Sequence, residues 1–97
     1  MKLNKEKLEK LTVDLRHQEP RLASEQLAGF DGAARCLDKC RASLLGKAGD
    51  YTFGCPMDQA FFSGSGINKE EFKDFVAGGA SDDEVEAWIE EHAHARA

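Results

Sequence analysis

Cys55 stands near the head of Gly54-Cys55-Pro56-Met57-Asp58-Gln59-Ala60-Phe61-Phe62. Pro56 suits the first position of a helix and Cys55 the cap before it. Unpaired amides and the helix dipole at that end favour a thiolate, the nucleophilic form of cysteine. The segment therefore offers a mechanism for thiol reactivity, with Asp58 or a distant histidine as proton acceptor and arginines to stabilise charge. Asp58, one turn on, carries a negative charge that opposes the thiolate, and no His or second Cys adjoins Cys55 in sequence. The competing reading is a buried cysteine acting as a small hydrophobe and weak cap.

A second set of groups lies on residues 35–41. Arg35, Asp38 and Arg41 share one ridge of a helix, with Lys39 beside them, so Asp38 can bridge cations a turn above and below. Turned toward the Cys55 segment, the two guanidinium groups would instead hold a carboxylate or phosphate. With Tyr51, Asp58 and Gln59 these residues outline a site for a small acidic ligand or a protein partner. No complete catalytic set accompanies them. The leading expectation is a non-enzymatic binding or interaction module, and the alternative is a redox sensor or enzyme that uses Cys55.

The remaining candidates are weaker. Cys36 and Cys40 share a helix side, but structural zinc knuckles sit on turns and Cys40 falls on an apolar stripe, so packing thiols are expected and no metal site is assigned. His17 is expected to end a helix. His92 and His94 are expected in the last turn or tail, where imidazolium suits terminal carbonyls. Gly46-Lys47-Ala48-Gly49 lacks the first glycine and the Ser/Thr of a phosphate loop, and no other cofactor signature is present.

These groups must be positioned by a short chain. Its 97 residues, 41% of them hydrophobic and 32% charged, suit one globular domain and are too few for two cores. Folding at this size leaves modest stability, to which a second copy in a homodimer would add. No apolar leader follows Met1-Lys2-Leu3-Asn4-Lys5, no run approaches the roughly 18 apolar residues of a membrane span, and the three cysteines are an odd number. A reducing cytoplasm is expected. Residues 1–50 hold ten Lys/Arg against eight Asp/Glu, and residues 51–97 hold three against ten. The basic cluster Lys2, Lys5, Lys7 and Lys10 is interleaved with Glu6 and Glu9, so nucleic acid is not an expected partner.

Periodicity predicts an all-α fold, a compact orthogonal array of about five short helices. Leu8, Leu11 and Leu15 predict an amphipathic helix over 4–17, stopped by Glu19-Pro20. Residues 18–31 read as a connector with at most one short turn. Residues 32–45 form the central helix, with Asp31 as a candidate cap and Gly46 as a left-handed stop. Residues 47–54 are turn-forming and could contain one short strand near Tyr51. A third helix runs from Pro56 to Gly64-Ser65-Gly66. Asn68 with Glu71, and Ser81 with Glu84, open a fourth and a fifth helix. The fifth carries Val85, Trp88, Ile89 and His92, and residues 32–92 make up the core of a single 1–97 domain.

Arg35-Cys36-Leu37-Asp38-Lys39-Cys40-Arg41, Gly46, Gly49, Tyr51, Cys55-Pro56-Met57-Asp58-Gln59, Phe61-Phe62, Gly66-Ile67, Ser81-Asp82, Trp88 and Glu91-His92 together resemble a small bacterial family catalogued as domain of unknown function 5069. The resemblance runs from about Gly29 to His92. The chain departs from the family pattern at Met57, where Leu is expected, at Ala33-Ala34, where Leu-Pro is usual, and at Gly64, where a bulkier residue is usual. Cys36 and Cys40 match no fixed cysteine of the pattern, which leaves Cys55 as the pattern thiol. The resemblance implies no known activity.

Overall fold

The computed structural model describes residues 3–93, so Lys2 of the basic cluster and His94 lie outside the described residues. Five helices and one small hairpin make up the fold: α1 (Lys5–Leu11), β1 (Gln26–Leu27), β2 (Phe30–Asp31), α2 (Ala33–Leu44), α3 (Pro56–Ser65), α4 (Lys69–Ala77) and α5 (Asp82–His92). No helix among the described residues is long and apolar enough to cross a membrane.

The capping signals operate largely as the sequence predicts. Asn68 accepts a hydrogen bond from the Glu71 amide, and Ser81 and Glu84 form a reciprocal capping box. Gly46 takes the left-handed conformation at φ 71°. Behind it the Lys47 amide donates to the Ala42 carbonyl and the Gly46 amide to the Ser43 carbonyl, the paired bonds of a Schellman stop. The α3 helix runs through Gly64 and ends at Gly66, left-handed at φ 74°.

Three elements depart from expectation. The first helix ends at Leu11 rather than running to His17. Thr12 turns extended and its hydroxyl donates to the Leu8 carbonyl, while Asp14 accepts from the Arg16 amide and guanidinium. These local bonds compete with the helical ladder in a stretch already weakened by Thr12 and Val13. Leu15 is still buried, because its amide donates to the Lys47 carbonyl over 2.9 Å. His17 thus lies in a turn. The strand expected near Tyr51 is also displaced. Residues 47–54 are turns, and the hairpin forms inside the supposed connector, with Gln26 opposite Asp31 and Leu27 opposite Phe30. Ala28 and Gly29 turn it with φ of 56° and 81°, the two positive values of a type I′ turn. Glu86 holds the strained Ala28 by accepting its amide at 3.0 Å. Finally, Gly32 rather than Asp31 caps α2, and Asp31 instead accepts from the Gln26 side chain.

The α2 helix is central, packed against α3, α4 and the hairpin. Leu37, Phe61, Phe62, Phe72, Val76, Val85 and Ile89 form the core, while Phe30, Phe53, Phe75 and Trp88 are half-buried at its edge. Rings of Phe61, Phe62 and Phe72 meet at 5.1 to 6.0 Å, within the range of favourable aromatic pairs. Because α2 is enclosed, Asp38, Lys39 and Arg41 are buried along with its apolar residues. A buried charge must be paired and hydrogen-bonded, and this requirement builds the sites described next.

Candidate functional site

Successive residues of a helix point about 100° apart, so Lys39 leaves the ridge of Asp38 and Arg41 and finds different partners. Its ammonium lies 2.9 Å from Cys55 Sγ and 3.1 Å from Asp58 Oδ2. Lys39 and Asp58 are buried, whereas Cys55 is partly exposed. Cys55 occupies the N-cap position of α3 but makes no capping side-chain bond; its sulfur accepts from Lys39 instead. Asp58 also accepts from the Gly54 amide at 2.8 Å, which closes residues 54–58 into a turn. At Gly54, φ 92° is a left-handed conformation that strains any residue with a Cβ. Gln59 sits on the exposed rim and donates to the Gly54 carbonyl at 3.2 Å.

The electrostatics favour ionised sulfur. Burial works against the Cys55 thiolate, but the Lys39 hydrogen bond and the backbone amides of Asp58 and Met57 outweigh it, and the thiol is held below its ordinary value. Asp58 still opposes the thiolate through its charge, as expected from sequence, although that charge is largely committed to Lys39. Lys39 itself is pulled down by burial and pushed up more strongly by Cys55 and Asp58, so it stays a cation. Cys36 and Cys40 behave oppositely: burial raises both thiols, Cys40 to about 12. They are packing thiols of α2.

The other expected site residues separate into two further groups. Arg35 stacks its guanidinium 5.6 Å from the centre of the Tyr51 ring and donates to the Arg21 carbonyl. Asp38 and Arg41 join a network that the sequence reading missed, because its organiser is Arg21 in the supposed connector. Arg21 grips Asp38 through Nε and Nη2 at 3.1 and 2.9 Å, and reaches Asp82 through Nη1 at 2.8 Å. Arg41 completes the square with Asp82 at 2.8 Å and the Ala80 carbonyl at 2.9 Å. Asp82 is thus held between the guanidinium groups of Arg21 and Arg41, not between those of Arg35 and Arg41 that the sequence pairs for an acidic ligand. A cleft of about 520 Å³ opens beside this network. The proximity of Arg21 to Asp38 leaves no trace in local spacing. His92 meets its expected partner, its ring nitrogen lying 2.8 Å from the Trp88 carbonyl.

No curated protein matches the chain. Residues 17–97 match the model of the family described as Domain of unknown function (DUF5069). This span reaches beyond the 29–92 of the resemblance at both ends, so it takes in Arg21 as well as Lys39, Cys55 and Asp58. The chain belongs to the DUF5069 family.

Proposed function

We propose that this protein works by thiol chemistry at Cys55, with Lys39 stabilising the thiolate and Asp58 holding Lys39 in place. The observation that carries this reading is the 2.9 Å contact between a buried ammonium and a partly exposed sulfur. A cation at that distance lowers the cost of ionising the thiol, and partial exposure leaves it open to an electrophile. The thiolate forms a bond to the electrophilic atom and displaces its leaving group, a step for which the site supplies charge and access. This reading is favoured over a binding module for an acidic ligand, because the cations expected to hold such a ligand are already engaged: Lys39 by Asp58 and the sulfur, Arg41 by Asp82, and Arg35 by the Tyr51 ring and the Arg21 carbonyl.

Alkylation of the native, reduced protein with iodoacetamide at neutral pH, with the modified sites identified by mass spectrometry, tests it. Cys55 is expected to be modified first, well ahead of Cys36 and Cys40, and Cys55→Ser to abolish the fast phase. A Cys55 that reacts as slowly as the buried pair would overturn the proposal.

A further inference from the structure

The same contact brings a second nucleophile against the sulfur. Resting on the thiol reading above, we propose that peroxide oxidation of Cys55 is followed by a covalent sulfur–nitrogen bond to Lys39, a reversible sulfenamide switch between α2 and α3. A sulfenic acid condenses with a nearby nitrogen when one is in reach, and the Lys39 Nζ to Cys55 Sγ distance of 2.9 Å is as short as the about 3–3.5 Å of a near-attack arrangement. The amine is buried and also held by Asp58, so it is delivered to the sulfur without a search.

The step balances with the groups present and one peroxide. The thiolate attacks the peroxide, an S–O bond forms, the O–O bond breaks, and hydroxide (or alkoxide) leaves. That base takes one proton from the Lys39 ammonium. The freed amine attacks sulfur, the N–S bond forms, the S–O bond breaks, and the departing oxygen takes a second Lys39 proton to leave as water. Sulfur is oxidised by two electrons and the peroxide reduced by two. Asp58 is placed to relay the second proton: Oδ2 touches the ammonium at 3.1 Å, and the buried Oδ1 has no hydrogen-bond partner among the described residues. An orphaned acceptor in an enclosed site is costly, and here it supplies an open position for that proton. The product replaces a cation by a neutral N–H. Asp58, only 1% exposed, then loses the charge that compensates it, so the 54–58 turn is loosened by the chemistry that oxidises Cys55.

The test treats the Cys36→Ala/Cys40→Ala variant, which cannot form an internal disulfide, with one equivalent of hydrogen peroxide and reads its intact mass. The expected product is a monomer lighter by two hydrogens, with the Lys39 and Cys55 peptides joined, tryptic cleavage at Lys39 lost, and dithiothreitol restoring the starting mass. Lys39→Met/Asp58→Asn in the same background is expected to stop at the mass of one added oxygen, trapped by dimedone. If the variant that keeps Lys39 also stops at one added oxygen with Lys39 still cleaved, the bridge is refuted while the reactive thiol stands. If Cys55 takes up no oxygen at all, both fail.

Discussion

Lys39 is buried with two partners, the Asp58 carboxylate and the Cys55 sulfur. An ammonium in that position costs several kcal/mol unless its charge is compensated, so Asp58 and the Cys55 sulfur are structural requirements of Lys39 as much as it is an electrostatic requirement of theirs. Lys39→Met leaves Asp58 buried and unpaired, and should cost about 3–5 kcal/mol in a urea titration. Lys39→Met/Asp58→Asn removes both charges and should recover part of that loss, which a double-mutant cycle measures. The residue types were visible from the start: Cys55 before Pro56, Asp58 one turn on, Lys39 among the candidates. Their convergence was not, because Lys39 and Cys55 are sixteen positions apart in sequence and only packing decides which face of α2 meets the α3 turn.

At the scale of elements, the local signals are legible in the sequence and the long-range ones are not. The starts of α4 and α5 and the stop of α2 follow from capping residues and glycines, and the start of α3 from Pro56 at its first position, all signals whose effects span one turn. The Gln26–Asp31 hairpin and the placing of Leu15 beyond α1 depend on distant elements, the Ala28 amide donating to Glu86 and the Leu15 amide to the Lys47 carbonyl, which no local pattern announces. Arg21 shows the consequence. It ties the segment between α1 and the hairpin to α2 through Asp38 and to α5 through Asp82. Arg21→Ala strands the buried Asp38 carboxylate and should cost toward the lower end of about 3–5 kcal/mol, since Arg21 itself is 31% exposed. Hydrogen exchange should quicken over residues 18–31 before it does in α4, whereas uniform quickening would mean that Arg21 supports the whole core rather than this segment.

For the whole molecule, the three thiols set opposing pH dependences. Cys55, lowered in the folded state, contributes stability that is present above the ordinary thiol value of 9.0 and is lost as pH falls through its folded value. Cys36 and Cys40, raised by burial, contribute stability that is present below 9.0 and lost as pH rises above it, when the unfolded chain gains by ionising. Their loss approaches about 1.4 kcal/mol per pH unit for each thiol. In urea titrations under reducing conditions, stability should therefore decline above pH 9.0, and Cys40→Ala should roughly halve the thiol-dependent slope. A slope unchanged by that substitution would assign the alkaline decline to other groups. One chain thus holds two thiols that its core disfavours ionising and one whose ionisation its surroundings favour.

The most direct test of that division is the apparent pKa of Cys55, read from the pH dependence of its alkylation rate in the native protein and in the Lys39→Met/Asp58→Asn variant. The Lys39–thiolate pair predicts an inflection below the ordinary 9.0 in the native protein and an upward shift in the variant. An inflection at or above 9.0 in the native protein, or one that the variant leaves in place, would contradict it.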